Sequence, residues 1–150
     1  MNQLLVEILQ KKKHLTAVAP VDWDDRRKMY TAAVEDLYGQ IEAMLADPIG
    51  NKAVALQRRP KQLTENFIGT YAVNDLVLVI GDEQVRFSPR GRNIVGAAGR
   101  VDVLGERGEA YLILDSDSKW AIVQTRHPKV RTVPLDDSTF AEILQLVMRD

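Results

Sequence analysis

The sequence predicts an α+β fold: an N-terminal helical pair, an antiparallel sheet of about six or seven strands, and a closing helix. Three observations predict it. Apolar residues recur at steps of three and four as far as residue 46, and again after residue 136. From residue 53 the apolar residues instead alternate or run in short clusters, broken by Gly, Pro, Asn and Asp. No helical period interrupts that second region, which favours antiparallel meandering over βαβ winding.

Leu4, Leu5, Ile8 and Leu9 share one helical face, so residues 2–13 read as a short amphipathic helix closed by Lys11, Lys12 and Lys13 at its negative end. Leu15–Pro20 breaks the pattern. A second helix is expected over 22–46, with Asp22 as N-cap and Asp25 adding negative charge to its first turn. Its stripe is Tyr30, Ala33, Val34, Leu37, Ile41, Met44 and Leu45, and Asp47-Pro48-Ile49-Gly50 stops it. Such a helix is about 37 Å long. That exceeds what a small sheet needs for cover, and the surplus is available to the first helix or to a second copy of the chain.

Val54-Ala55-Leu56 reads as a strand ended by Arg58-Arg59-Pro60-Lys61. Phe67–Val73 and Leu76–Ile80 flank a turn at Asn74-Asp75. The next turn falls within Gly81–Glu83, Val85 and Phe87 alternate, and Pro89-Arg90-Gly91 turns again. Ile94-Val95 with Val101, Val103 and Leu104 form one long or bulged strand, Gly96 and Gly99 marking the bends. Gly105–Gly108 and Asp115–Ser118 are turns before the strands Ala110–Leu114 and Trp120–Val123. The last helix starts at the N-cap Asp136, with Leu135 and Phe140 placed as a hydrophobic staple and Ile143, Leu144 and Val147 continuing the face. The order also suits a partly closed barrel plugged by its last helix, and in that topology it resembles pleckstrin-homology-like modules. Residues 1–150 form one domain, with a helical segment over 1–48 and a β-rich body with the C-terminal helix over 51–150.

A chain of 150 residues with a net charge of -1 is no polybasic coat for nucleic acid. It has no cysteine, which excludes disulfides, zinc–thiolate and Fe–S sites and a thiol nucleophile. No apolar run nears the roughly 18 residues of a membrane span. The lysines follow the first apolar stretch, the reverse of a secretory signal. The expected location is cytoplasmic, with no membrane partner. His14 and His127 stand alone, so no metal or other cofactor is predicted.

One feature of the chain points outward. Residues 51–64, 84–101 and 118–135 hold no Asp or Glu, yet each window carries four Lys or Arg. The expected binding residues are Arg58, Arg59, Arg86, Arg90, Arg92 and Arg100, which would face an anion if they converge on one side of the sheet. Lys119, Arg126, Lys129 and Arg131 populate the third window. Arg90-Gly91-Arg92 reads as turn chemistry, and Gly96-Ala97-Ala98-Gly99 lacks the flanking helices of a backbone-gripping G-x-x-G loop. Asp115-Ser116-Asp117 opens like a calcium loop but continues with Lys119 and Trp120 where a ligand and glycine are needed. Asp102 followed by Asp117-Ser118-Lys119 resembles the spaced acid and acid-x-lysine of PD-(D/E)XK nucleases. That resemblance covers under about 20 residues and implies two carboxylates on Mg²⁺ with a lysine beside the attacking water.

The function expected from these readings is a non-catalytic intracellular interaction module, of regulatory, adaptor or immunity type, self-associating through its long helix or binding an unidentified protein. Binding of an anionic ligand or nucleic acid through a basic sheet face is the alternative, with nucleic acid less favoured, and the nuclease is the lesser one.

Overall fold

The computed structural model describes residues 3–7, 23–65, 68–91, 99–115, 117–125 and 131–149. Residues 3–7 are helical, and the remainder of the expected first helix lies outside the described residues. Helix α1 spans Trp23–Met44 and a short helix α2 spans Ala46–Gly50. The strands are β1 (Ala55–Glu65), β2 (Gly69–Ile80), β3 (Glu83–Gly91), β4 (Gly99–Leu104), β5 (Glu109–Leu114), β6 (Trp120–Thr125) and β7 (Arg131–Pro134), and helix α3 (Asp137–Val147) follows. The seven strands pair antiparallel in chain order, leaving β1 and β7 as edges, so the sheet is an open meander and not a closed barrel.

Helix α1 follows its predicted stripe: Tyr30, Val34, Leu37 and Ile41 are buried, joined by Tyr38. At 22 residues it is about 33 Å long, shorter than the expected span, and an irregular residue at Leu45 separates it from α2, with the bonds Leu45 N–H to Ile41 and Ile49 N–H to Leu45 keeping the helical pattern. Asp22 lies outside the described residues. The predicted start of α3 is present. The Asp136 carboxylate accepts from the Thr139 N–H at 2.9 Å and Thr139 Oγ1 accepts from the Asp136 N–H at 2.8 Å, a reciprocal capping box.

Two expected breaks, one strand end and one turn, are strand interior instead. Strand β1 runs straight through Arg58-Arg59-Pro60-Lys61, because an edge strand leaves one row of backbone donors unpaired and proline costs no ladder bond there. Strand β2 runs through Asn74-Asp75, which pair with Pro60 and Arg59. The Asn74 carbonyl accepts from the Tyr38 hydroxyl at 2.5 Å. Pro89-Arg90-Gly91 ends β3 as a bulge, with register shifting between Pro89 and Gly91. Ile94 and Val95 lie outside the described residues. Two predicted strands merge into β2, while the short strand β7 was not expected.

Both α1 and α3 pack on one face of the sheet. Leu76, Leu78, Val85, Phe87, Val101, Val103 and Leu112 form the sheet side of the core. Phe87 lies beneath both helices, its ring stacked on Phe140 at 6.2 Å and its carbonyl 3.4 Å from the Tyr38 hydroxyl. Trp120 Nε1 donates to the Ala33 carbonyl at 2.9 Å. The Tyr30 hydroxyl donates to the Arg100 carbonyl at 2.7 Å and accepts from the Gly91 N–H at 3.1 Å, pinning the helix to the ends of β3 and β4. Among the described residues, no helix is long and apolar enough to cross a membrane.

Candidate functional site

Paired residues in an antiparallel ladder point to the same side of the sheet, and successive residues alternate. Val77 pairs with Arg86, Ser88 with Asp102, Asp102 with Tyr111 and Arg100 with Ile113. These residues therefore occupy the face opposite Leu76, Phe87 and Val101, away from the helices. Arg59 and Asp75 pair on that outer face, and Lys61 follows two residues along β1.

Two carboxylates organise this face. Asp102 receives the Arg90 Nε at 2.9 Å, and Arg100 in bidentate fashion through Nε at 2.6 Å and Nη2 at 3.2 Å. The bulge at Arg90 puts both arginines within reach of one acid. Arg100 also lies over the Tyr111 ring, 4.6 Å from its centroid. Asp75 Oδ1 meets the Lys61 ammonium at 2.7 Å and Oδ2 meets Arg86 at 3.8 Å. The first contact is an ion pair without hydrogen-bond alignment, since Oδ1 is buried and no hydrogen bond is assigned to it.

The two acids lie under their cations. Side-chain exposure is 9% for Asp75 and 7% for Asp102, against 43% for Arg86 and 50% for Arg90. Solvent therefore meets guanidinium groups, while the carboxylates hold them in place from below. Lys61, Arg86, Arg90 and Arg100 stand against two acids, a surplus of two positive charges. Exposed Arg59, bonded to Gln57 at 3.1 Å, adds one cation, and exposed Glu109, which accepts from the Tyr111 hydroxyl at 2.6 Å on the same face, offsets it. Half-buried Ile113 and Val123 continue the face beyond Tyr111.

Of the expected binding residues, Arg59, Arg86, Arg90 and Arg100 share this face. Arg58 does not. It pairs with Leu76 on the helix side and binds Glu42 at 2.8 Å and Glu35 at 3.3 Å. Burial works against its charge, but the bond to Glu42 and the field of Glu35 more than offset that and raise its pKa. Arg92, Arg126, Lys129, His14 and His127 lie outside the described residues. The face also holds Lys61, Asp75, Ser88 and Tyr111, which the sequence reading did not place in a site. Lys61 was visible in an acid-free window, whereas Asp75 was taken for a turn residue.

Chemistry beyond binding finds little geometry here. Lys61 Nζ donates to Ser88 Oγ at 2.7 Å, the atom pair of a serine–lysine nucleophile. Yet the ammonium is tied to Asp75 and Ser88 is buried, so the group forms a closed network. For the nuclease resemblance, both Asp102 oxygens are taken by guanidinium groups, while Asp117 sits in the exposed β5–β6 turn, where its N–H bonds Asp115 at 2.9 Å. Among the described residues no three His, Cys, Asp or Glu side chains gather to hold a metal ion.

Comparison of the chain with protein-family models, with curated proteins and with solved structures finds no match to any of them.

Proposed function

We propose that this chain is a non-catalytic interaction module that docks an acidic protein surface on the outer face of its sheet. The observation that carries this reading is the Arg90–Asp102–Arg100 cluster. A buried carboxylate pre-orients two guanidinium groups and leaves Arg90 half exposed, so little side-chain entropy remains to be lost on binding. Arginine, tyrosine and branched aliphatic side chains side by side make up the composition of protein-binding patches. A nucleic-acid surface would want exposed rings for base stacking, and Tyr111, the ring of this cluster, lies beneath Arg100. The reading places the module in the cytoplasm, in keeping with a chain free of cysteine.

The test measures binding of fluorescent poly-L-glutamate and of a single-stranded oligonucleotide by anisotropy across a salt series. Exposed ion pairs contribute at most about 1 kcal/mol each, so poly-L-glutamate should bind with Kd on the order of 0.1–1 mM at low salt. Joint replacement of Arg59, Arg86 and Arg90 by glutamine should abolish that binding. Tighter binding of the oligonucleotide would move the assignment to nucleic acid, and no binding of either would refute the docking face.

A further inference from the structure

The helix layer mirrors the outer face in charge. Residues 29–51 hold Glu35, Asp36, Glu42 and Asp47 but no Lys or Arg, and residues 132–148 hold Asp136, Asp137 and Glu142 with none either. All seven acids are exposed or half-buried. Among the described residues Arg58 is the cation paired with them, at Glu35 and Glu42, and Asn74 of the sheet also donates to Glu35 at 3.2 Å. The first turns of α1 carry Arg26, Arg27 and Lys28 beside Asp24 and Asp25, so carboxylates dominate the helix layer from residue 29 onward, opposite the cations on the outside of the sheet.

We infer that the acidic surface fitting the outer face is a second copy of this chain, the helix layer of one molecule seating on the sheet face of the next. This rests on the reading of the outer face as a docking surface. Charge complementarity selects the occupant: a surplus of two positive charges faces one of opposite sign on the same polypeptide. Apolar contacts are available on both sides, with Met29 at 57% and Leu146 at 58% exposure on the helices and Ile113 and Val123 half-buried on the sheet. Because the two surfaces lie on opposite sides of the body, the contact is head-to-tail and leaves a free surface at each end. Such an interface propagates into an open stack unless rotation closes it into a ring.

Two variants make the test. Asp36→Lys with Asp47→Lys alters exposed helix-layer positions only. Arg59→Gln, Arg86→Gln and Arg90→Gln neutralise the sheet face while leaving Lys61 on Asp75 and Arg100 on Asp102. Circular dichroism confirms that each variant folds, and sedimentation velocity at low salt reads association. The wild-type chain is expected to grow in mean mass with concentration and to return to monomer at about 0.5 M salt, where the Debye length falls below about 5 Å. Each variant alone should be monomeric. Mixed, they should form a 1:1 complex that grows no further, because each retains the surface the other lacks. A wild-type chain that stays monomeric at millimolar concentration, or variants that fail to complement, would overturn the stack. Retained poly-L-glutamate binding by the wild type would then leave the docking face standing, so the two readings fail separately.

Discussion

Replacing Tyr30 by phenylalanine removes a single hydroxyl from a fully buried ring, and its consequences follow from two contacts. The hydroxyl donates to the Arg100 carbonyl at 2.7 Å and accepts from the Gly91 N–H at 3.1 Å. Losing such a buried pair costs about 1 kcal/mol per bond, hence about 2 kcal/mol. For a domain of this size about 2–4 °C of Tm is lost per kcal/mol, so thermal unfolding should fall by about 4–8 °C. The same substitution has a pH signature. Burial raises the Tyr30 and Tyr38 pKa values well above the usual range near 10. With folded values above unfolded ones, the neutral phenols contribute their full stability below about pH 10 and lose it as pH rises beyond. Tyr30→Phe should therefore lower stability at pH 7 yet make it fall less steeply with pH above about 10. Phenolate absorbance followed with circular dichroism checks this: in the wild type the buried rings should ionise only as the fold is lost. A variant unfolding within about 1 °C of wild type, with the same alkaline slope, would refute the hydroxyl bridge between helix and sheet.

Gly91→Ala should destabilise by more than about 2 kcal/mol, because φ there is +118° and a Cβ would stand 2.5 Å from the Glu65 carboxylate; chemical denaturation measures it. Asp136→Ala removes the α3 cap and should cost about 1 kcal/mol by the same assay. Asp102→Asn leaves Arg90 and Arg100 without their shared charge. It should cost about 1–2 kcal/mol after allowance for their exposure, read by the same chemical denaturation.

The elements that announced themselves in the sequence were those whose local signals agree. Helix α3 carries its cap and apolar face together in Asp136, Phe140, Ile143 and Val147. The stripe of α1 holds because Tyr30, Val34, Leu37 and Ile41 meet one sheet face. Misreadings came where turn-forming residues serve strands. Pro60 lies on an edge, Asn74-Asp75 are held by Tyr38, Lys61 and Arg86, and Arg90 fills a bulge. Local propensity cannot anticipate those partners, which come from distant segments.

For the site, the segregation of charge was legible but its geometry was not. Arg58 and Arg59 are neighbours in sequence and point to opposite faces, and which goes where depends on a register set by the hairpin between Glu65 and Gly69. Nor could spacing tell that Asp75 and Asp102 would be buried beneath cations. The acidic half of the pattern was open to reading in the absence of Lys and Arg from residues 29–51 and 132–148.

The outer face is the proposed place where acid binds. Arginine Nε–Hε resonances, assigned by substitution and followed by NMR during a poly-L-glutamate titration of dilute protein, test it most directly. Arg59, Arg86, Arg90 and Arg100 should shift together, while Arg58, held by Glu35 and Glu42 on the opposite face, and Arg149, held by Asp82 and Glu106, stay still. Equal shifts of all six, or shifts confined to Arg58 and Arg149, would contradict it.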